Sequence, residues 1–140
     1  MHSDWNDLEV LAPELLPFFR AARTGDFRLP RCLRCNRFQW PPRPVCRYCR
    51  FDEMGWSSAE SRGSLYSWTT TYRSFGEDLT WHTPYTIAVV TLDVPDLVRL
   101  VGRMSGSPPE SDLHDGARVT GHFTVSGARK LPTLLWRLAD

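Results

Sequence analysis

Residues Cys32 to Cys49 read CLRCNRFQWPPRPVCRYC and contain all four cysteines of the 140-residue chain. The cysteines form two Cys-x-x-Cys pairs, Cys32/Cys35 and Cys46/Cys49, with ten residues between them. This is the spacing of a four-cysteine zinc site, in which each short turn points two thiolates at one tetrahedral ion. The backbone N–H groups of such a turn can donate to the sulfurs. Asn36 follows the second cysteine, where glycine is the commoner choice, and Asn is the non-glycine residue that best tolerates a left-handed turn. Arg50, in the matching place after Cys49, suits that conformation less well. Two disulfides or four unrelated thiols are the competing readings, and iron stays open beside zinc because spacing does not separate the two metals.

Working outward, the ribbon carries Arg31, Arg34, Arg37, Arg43, Arg47 and Arg50, with no acid between Arg31 and Arg50. They either screen the thiolates and solubilise a small knob, or form a surface for an anion or an acidic partner. The formal charge of the chain is +1. Four thiolates and one zinc dication add a net −2, leaving about −1, so a global charge for nucleic acid is absent. Lys130 is the only lysine. A hydrophobic content of 41% with 12% aromatic residues marks a folded chain. Its length suits one main domain with an appended element. No apolar run is long enough to cross a bilayer, and MHSDWNDLEV does not resemble a signal peptide, so a cytoplasmic location is expected.

Ahead of the ribbon, Ser3 is placed to cap a short helix from Asp4 to about Leu11. PFFRAARTG reads as two further helical turns, begun at Pro17 and stopped at Thr24-Gly25. Leu11, Leu15, Leu16, Phe18 and Phe19 give these helices an apolar load that must dock, on the chain's own core or on another subunit. After the ribbon, FDEMGWSSAESRG reads as a polar connector anchored by Trp56.

From Gly63 onward the pattern changes to period-two strands. Five are expected: Ser64 to Arg73, Tyr85 to Asp93, Leu97 to Met104, Ala117 to Val125, and Thr133 to Ala139. Tyr66, Trp68, Thr70 and Tyr72 share one side of the first, and Ile87 and Val89 oppose Ala88 and Val90 in the second. Val119, Phe123 and Val125 line the fourth, and Leu134, Trp136 and Leu138 the fifth. Asp93-Val94-Pro95-Asp96 is a turn. The long SGSPPESDLHDG stretch can cross a barrel end, so the set suits a five-stranded oligonucleotide/oligosaccharide-binding (OB) barrel. The expected fold is mainly β with N-terminal helices, divided into a helical segment at 1–26, the zinc ribbon at 27–60 and the OB domain at 61–140.

Taken in order, FF-x-A-x-x-x-G, the R-C-x-x-C-x-R-x-x-x-P-P-R-P-x-C-x-x-C ribbon, G-x-L-Y-S-W-T, P-Y-T-I-A-V-V-x-L-D and a late D-G-x-x-V resemble the DUF35 family from about Pro17 to Trp136. The resemblance implies N-terminal helices, a rubredoxin-like ribbon and a C-terminal OB barrel. It implies that Cys32, Cys35, Cys46 and Cys49 are ligands of a structural metal, and that Pro41, Pro42, Arg43 and Pro44 form the rigid top of the ribbon. It also implies a non-catalytic partner of thiolase-like acyl-CoA enzymes: acyltransferases, synthases, or retro-aldolases acting on steroid side chains. Such a partner holds the enzyme active in a hetero-oligomer or bridges it to a second acyl-CoA enzyme, a hydratase or synthase.

The residues themselves offer no catalytic set. His2, His82, His114 and His122 are scattered, no Gly-x-Ser-x-Gly or His-Glu-x-x-His surrounds them, and Asp93 with Asp96 reads as turn chemistry. A metal held by four cysteines has no open position for substrate. The alternative is a single-strand nucleic-acid binder, with Tyr66, Trp68, Tyr72 and Trp81 as stacking platforms beside an arginine-rich ribbon. A weaker reading has Arg31, Arg43 or Arg73 meeting phosphates of CoA.

Overall fold

The computed structural model describes residues 4–73, 83–125 and 130–139. Ser3, His2, Trp81 and His82, each given a role or weighed above, lie outside these residues.

The first helix, α1, spans Trp5–Leu11, and its cap is Asp4, whose carboxylate accepts from the Asp7 N–H at 2.8 Å. The cap therefore sits one residue later than the expected Ser3. α2 covers Leu16–Ala22, with Pro17 in its first turn and Gly25 at φ +78° closing it. Glycine meets that left-handed conformation without a Cβ clash.

Next comes a two-stranded antiparallel ribbon, β1 (Arg28–Cys32) and β2 (Met54–Ser58), with Pro30 opposite Trp56 and Cys32 opposite Met54. This corrects the reading of 51–63 as a connector, because five of its residues form a strand. Gly55, Ser57 and Ser58 have little strand preference of their own, and what orders them is a partner more than twenty residues away in sequence.

The remaining strands are β3 (Arg62–Thr71), β4 (Tyr85–Leu92), β5 (Arg99–Met104), β6 (Arg118–Thr124) and β7 (Thr133–Leu138). They close a barrel in the order β3-β4-β5-β7-β6, with β5 and β7 parallel and the other pairs antiparallel. This is the expected five-stranded OB barrel, and each strand lies within about two residues of its predicted place. The long stretch after β5 crosses the barrel end, so that β6 pairs with β3 and β7 instead of with β5.

One face assignment fails for a specific reason. A β-bulge lies between Leu65 and Ser67, so Leu65 is buried, Tyr66 turns out to solvent and Trp68 points inward again. An extra residue shifts the two-residue alternation by one. Thr70 continues on the inner side, its hydroxyl 3.0 Å from that of buried Thr86. Tyr72 is exposed beyond the end of β3, and Val125, expected beside Val119 and Phe123, is exposed beyond the end of β6. In β4, Ala88 and Val90 are buried as the alternation requires.

Trp136 fills the barrel interior, fully buried. A Cβ on Gly102 would stand 2.7 Å from its indole nitrogen, and one on Gly121 2.8 Å from its ring, so the indole fits only because the two strands flanking β7 carry glycine there.

A second packing centre joins the helices, ribbon and barrel. The Phe18 ring of α2 lies 5.2 Å from Phe19, 6.0 Å from Phe27, 5.1 Å from Trp40 of the ribbon loop and 5.6 Å from Phe123 of β6. These are edge-on and tilted aromatic contacts. α2 thus docks on the chain's own core, whereas Val10 and Leu11 of α1 are each 80% exposed.

Candidate metal centre

The site is built from two equivalent turns. In the first, Cys32 ends β1, and its sulfur accepts from the N–H of Arg34 at 3.3 Å and of Cys35 at 3.4 Å. In the second, the Cys46 sulfur accepts from the N–H of Tyr48 at 3.3 Å and of Cys49 at 3.4 Å. Each turn closes with a backbone bond back to its first cysteine, Asn36 to Cys32 and Arg50 to Cys46. The residues after the pairs are left-handed, Asn36 at φ +62° and Arg50 at +69°. Asn36 fulfils its expectation. Arg50, the poorer candidate, is carried into the same conformation because the Cys46 turn cannot close otherwise.

All four sulfurs lie within 4.8 Å of one another. Cys32 and Cys49 are 3.6 Å apart, and Cys35 and Cys46 3.7 Å. Those separations exclude disulfides, whose sulfurs stand about 2.05 Å apart. Zinc–sulfur bonds of about 2.3 Å in a tetrahedron put neighbouring sulfurs about 3.8 Å apart, so the cluster fits such an ion. Cys32 and Cys46 are buried, while Cys35 and Cys49 are half-buried.

Gln39 is a contributor that spacing did not reveal. It is 3% exposed, its Nε2 donates to the Cys46 sulfur at 3.0 Å, and its Oε1 accepts from the Arg47 N–H at 3.0 Å. One amide side chain therefore ties the loop between the pairs to a candidate ligand and to the turn that carries it. A glutamine seven residues before a cysteine has no signature in sequence.

Burial opposes ionisation of Cys46, but the amides of Cys49 and Tyr48, with Cys35 and Gln39, outweigh it and bring the thiol down to about 6. At Cys35 the Arg37 amide favours the thiolate, yet burial and the sulfurs of Cys46, Cys32 and Cys49 push it up to about 11. A bound cation would drive protons off the thiols that hold it.

Four of the six ribbon arginines stack on ribbon aromatics. Arg31 lies over Phe38 at 4.6 Å, Arg34 over Phe51 at 5.5 Å, and Arg37 and Arg47 over Tyr48 at 4.6 and 5.6 Å. Arg31 also donates to the Asn36 carbonyl at 2.7 Å. These cations serve the ribbon's own packing. Arg43, Arg47 and Arg50 border an open cavity of about 660 Å3.

The Asp93/Asp96 pair is divided between two structural tasks. Asp93 is ion-paired with Arg118 of β6. Asp96 accepts from the ribbon N–H of Phe38 at 2.8 Å, clasping ribbon to barrel. His114 is exposed at the barrel end and His122 is half-buried on β6, in separate parts of the fold. Of the expected stacking platform, Trp68 packs on the core and Tyr66 is covered by Arg99 at 3.7 Å. Among the described residues no helix is long and apolar enough to cross a membrane.

Residues 19–55 match the family of the ChsH2 rubredoxin-like zinc ribbon domain, and residues 56–124 that of the ChsH2 C-terminal OB-fold domain. No curated protein matches the chain by sequence. Among solved structures, one described as an Ltp2–ChsH2(DUF35) aldolase is 23% identical, with a TM-score of 0.79 over 94% of this chain and 98% of that one. A DUF35 protein of unknown function from Sulfolobus solfataricus is 17% identical, with a TM-score of 0.60 over 96% and 91%. At those identities the likeness establishes the fold.

Proposed function

Because the chain belongs to the DUF35 family, with the rubredoxin-like zinc ribbon and OB-fold domain of ChsH2, we propose that it is a non-catalytic accessory subunit of a thiolase-like acyl-CoA enzyme. The observation that carries this reading is the likeness, along nearly its whole length, to a structure named as an aldolase of Ltp2 with ChsH2(DUF35). In this reading the partner supplies the catalytic residues, and this chain supplies a rigid surface that keeps the partner assembled and active. The partner's chemistry is acyl transfer, synthesis or retro-aldol cleavage of an acyl-CoA, with steroid side-chain thioesters among the candidates.

Cys32, Cys35, Cys46 and Cys49 hold a structural Zn2+. Four sulfurs fill its coordination sphere, so the ion orders the ribbon and takes no part in turnover. The Gln39 bond to the Cys46 sulfur supports this, since outer partners of that kind orient ligands for a resident metal.

Co-expression with a thiolase-like enzyme from the same genome tests the proposal. Co-elution as a hetero-oligomer is expected, with enzyme activity that falls when this chain is omitted. A monomer that leaves the enzyme's oligomeric state and activity unchanged would overturn it.

A further inference from the structure

Two of the six ribbon arginines have no task in the ribbon itself. Arg31, Arg34, Arg37 and Arg47 lie on aromatic rings, whereas Arg43 and Arg50 have no hydrogen bond, ion pair or ring contact among the described residues. Both are exposed, and both border the open cavity of about 660 Å3 beside the second cysteine turn. The backbone fixes their places. Arg43 stands between Pro42 and Pro44, whose rings lock φ, and Arg50 is held left-handed at φ +69° where the Cys46 turn closes. Glycine would meet that conformation at lower cost, so the Arg50 side chain adds nothing to the stability of the turn.

The loop that carries Arg43 is also one wall of an apolar groove. Arg43 and Pro44 border both the cavity and a neighbouring space of about 530 Å3, whose other walls include Pro17 of α2 and Met54 and Trp56 of β2. Met54 and Trp56 lie two apart on the strand and so share one of its faces, and Trp56 is anchored on the core. Glu14 is the acid among the described residues bordering either space, and it lines the groove. A segment laid across Arg43 and Pro44 therefore meets two cations on one side of the loop and an apolar wall with a single anion on the other.

We infer that this loop docks an extended acidic segment of a partner protein, with its carboxylates on Arg43 and Arg50 and an apolar side chain in the groove against Met54 and Trp56. The planar N–H fork of a guanidinium matches the two oxygens of a carboxylate. The groove favours a peptide over inorganic phosphate, which has nothing to fill it, and the near-neutral charge of the chain disfavours nucleic acid. Glu14 sets the direction of the segment, since an acid placed in the groove would meet a like charge. The occupant is defined by its chemistry and the surface lies within one chain, so the inference does not rest on the thiolase-like reading.

The test is fluorescence anisotropy of the zinc-loaded full chain with the labelled peptide Asp-Glu-Asp-Ser-Leu-Ser in both chain directions, the same peptide with serine in place of leucine, and Lys-Lys-Lys-Ser-Leu-Ser. The leucine peptide is expected to bind about tenfold tighter than its serine form, and the lysine peptide more weakly than either. Binding should weaken as sodium chloride is raised. The double variant Arg43→Gln/Arg50→Gln should weaken the leucine peptide about tenfold with zinc content retained. Arg50→Gly should weaken binding while raising the urea midpoint, opposite signs that a purely structural role for Arg50 would not give. Met54→Thr should bring the leucine peptide down to the serine form; should that variant lose zinc, Glu14→Leu, at an exposed place on the same groove, should widen the gap between them. Absence of acidic-peptide binding, equal binding of acidic and lysine peptides, arginine variants that bind as the parent chain does, or tighter binding of inorganic phosphate or a short single-stranded oligonucleotide would each overturn the inference.

Discussion

Gln39 joins the loop between the cysteine pairs to the Cys46 sulfur, so its loss should act on the metal before it acts on the fold. Gln39→Leu keeps much of the volume but leaves the Arg47 amide without its acceptor and the Cys46 sulfur with its two backbone donors alone. Zinc affinity is expected to fall by about 10–100-fold, read by competition with a chromogenic chelator. Cys46→Ser goes further and should cost metal stoichiometry and ribbon structure together, because binding and folding are one process in such sites. Arg50 points the other way. It holds a left-handed conformation that costs an L-residue roughly 1–2 kcal/mol, partly offset in glycine by lost chain entropy. Arg50→Gly should therefore stabilise the holo-protein by up to about 1 kcal/mol in urea denaturation.

The turn between β4 and β5 links elements through its two carboxylates. Asp96→Ala removes the acceptor of the Phe38 amide, with an expected cost of about 1–3 kcal/mol and no change in zinc content. Asp93 behaves differently because it titrates against Arg118, whose hydrogen bonds hold its carboxyl below the ordinary carboxylate range. With the folded value lowered, the stabilisation is complete above the unfolded value of about 3.9 and is lost as pH falls through the folded value. Both side chains are more than a third exposed, so the effect stays below about 1 kcal/mol. Asp93→Asn should narrow the gap between urea midpoints measured at pH 6 and pH 3. The barrel strands were legible because their alternation is local. The bulge at Tyr66 and the pairing of β2 with β1 were not, since each depends on a strand brought up by the rest of the chain.

For the molecule as a whole, Phe18, Phe27, Leu29 and Phe38 belong to the same buried cluster as Val90, Val119 and Trp136. Helices, ribbon and barrel therefore share one core, and the zinc-loaded chain is expected to unfold in a single transition, with calorimetry and tryptophan fluorescence coinciding. A ribbon melting apart from the barrel would contradict this. Gly102→Ala tests the barrel interior: its methyl would press on Trp136, with an expected cost of about 1–3 kcal/mol. The side chains of Val10 and Leu11 on α1 lie outside that core and are exposed.

The four cysteines could be read as one cluster from spacing alone, because a Cys-x-x-Cys turn points both sulfurs to one side whatever surrounds it. The barrel could be read from period-two strands, because alternation records which face is buried. Other features arose only on folding: Gln39 against Cys46, Asp96 beneath Phe38, four arginines laid on aromatic rings, Phe123 brought to Phe18, and an apolar groove between the Arg43 loop and β2. Each joins groups whose relation is set by the three-dimensional path between them. Cys32 to Cys49 thus carried its own chemistry in its spacing, whereas its setting, clasped to a barrel and packed on an aromatic hub, is a product of long-range packing.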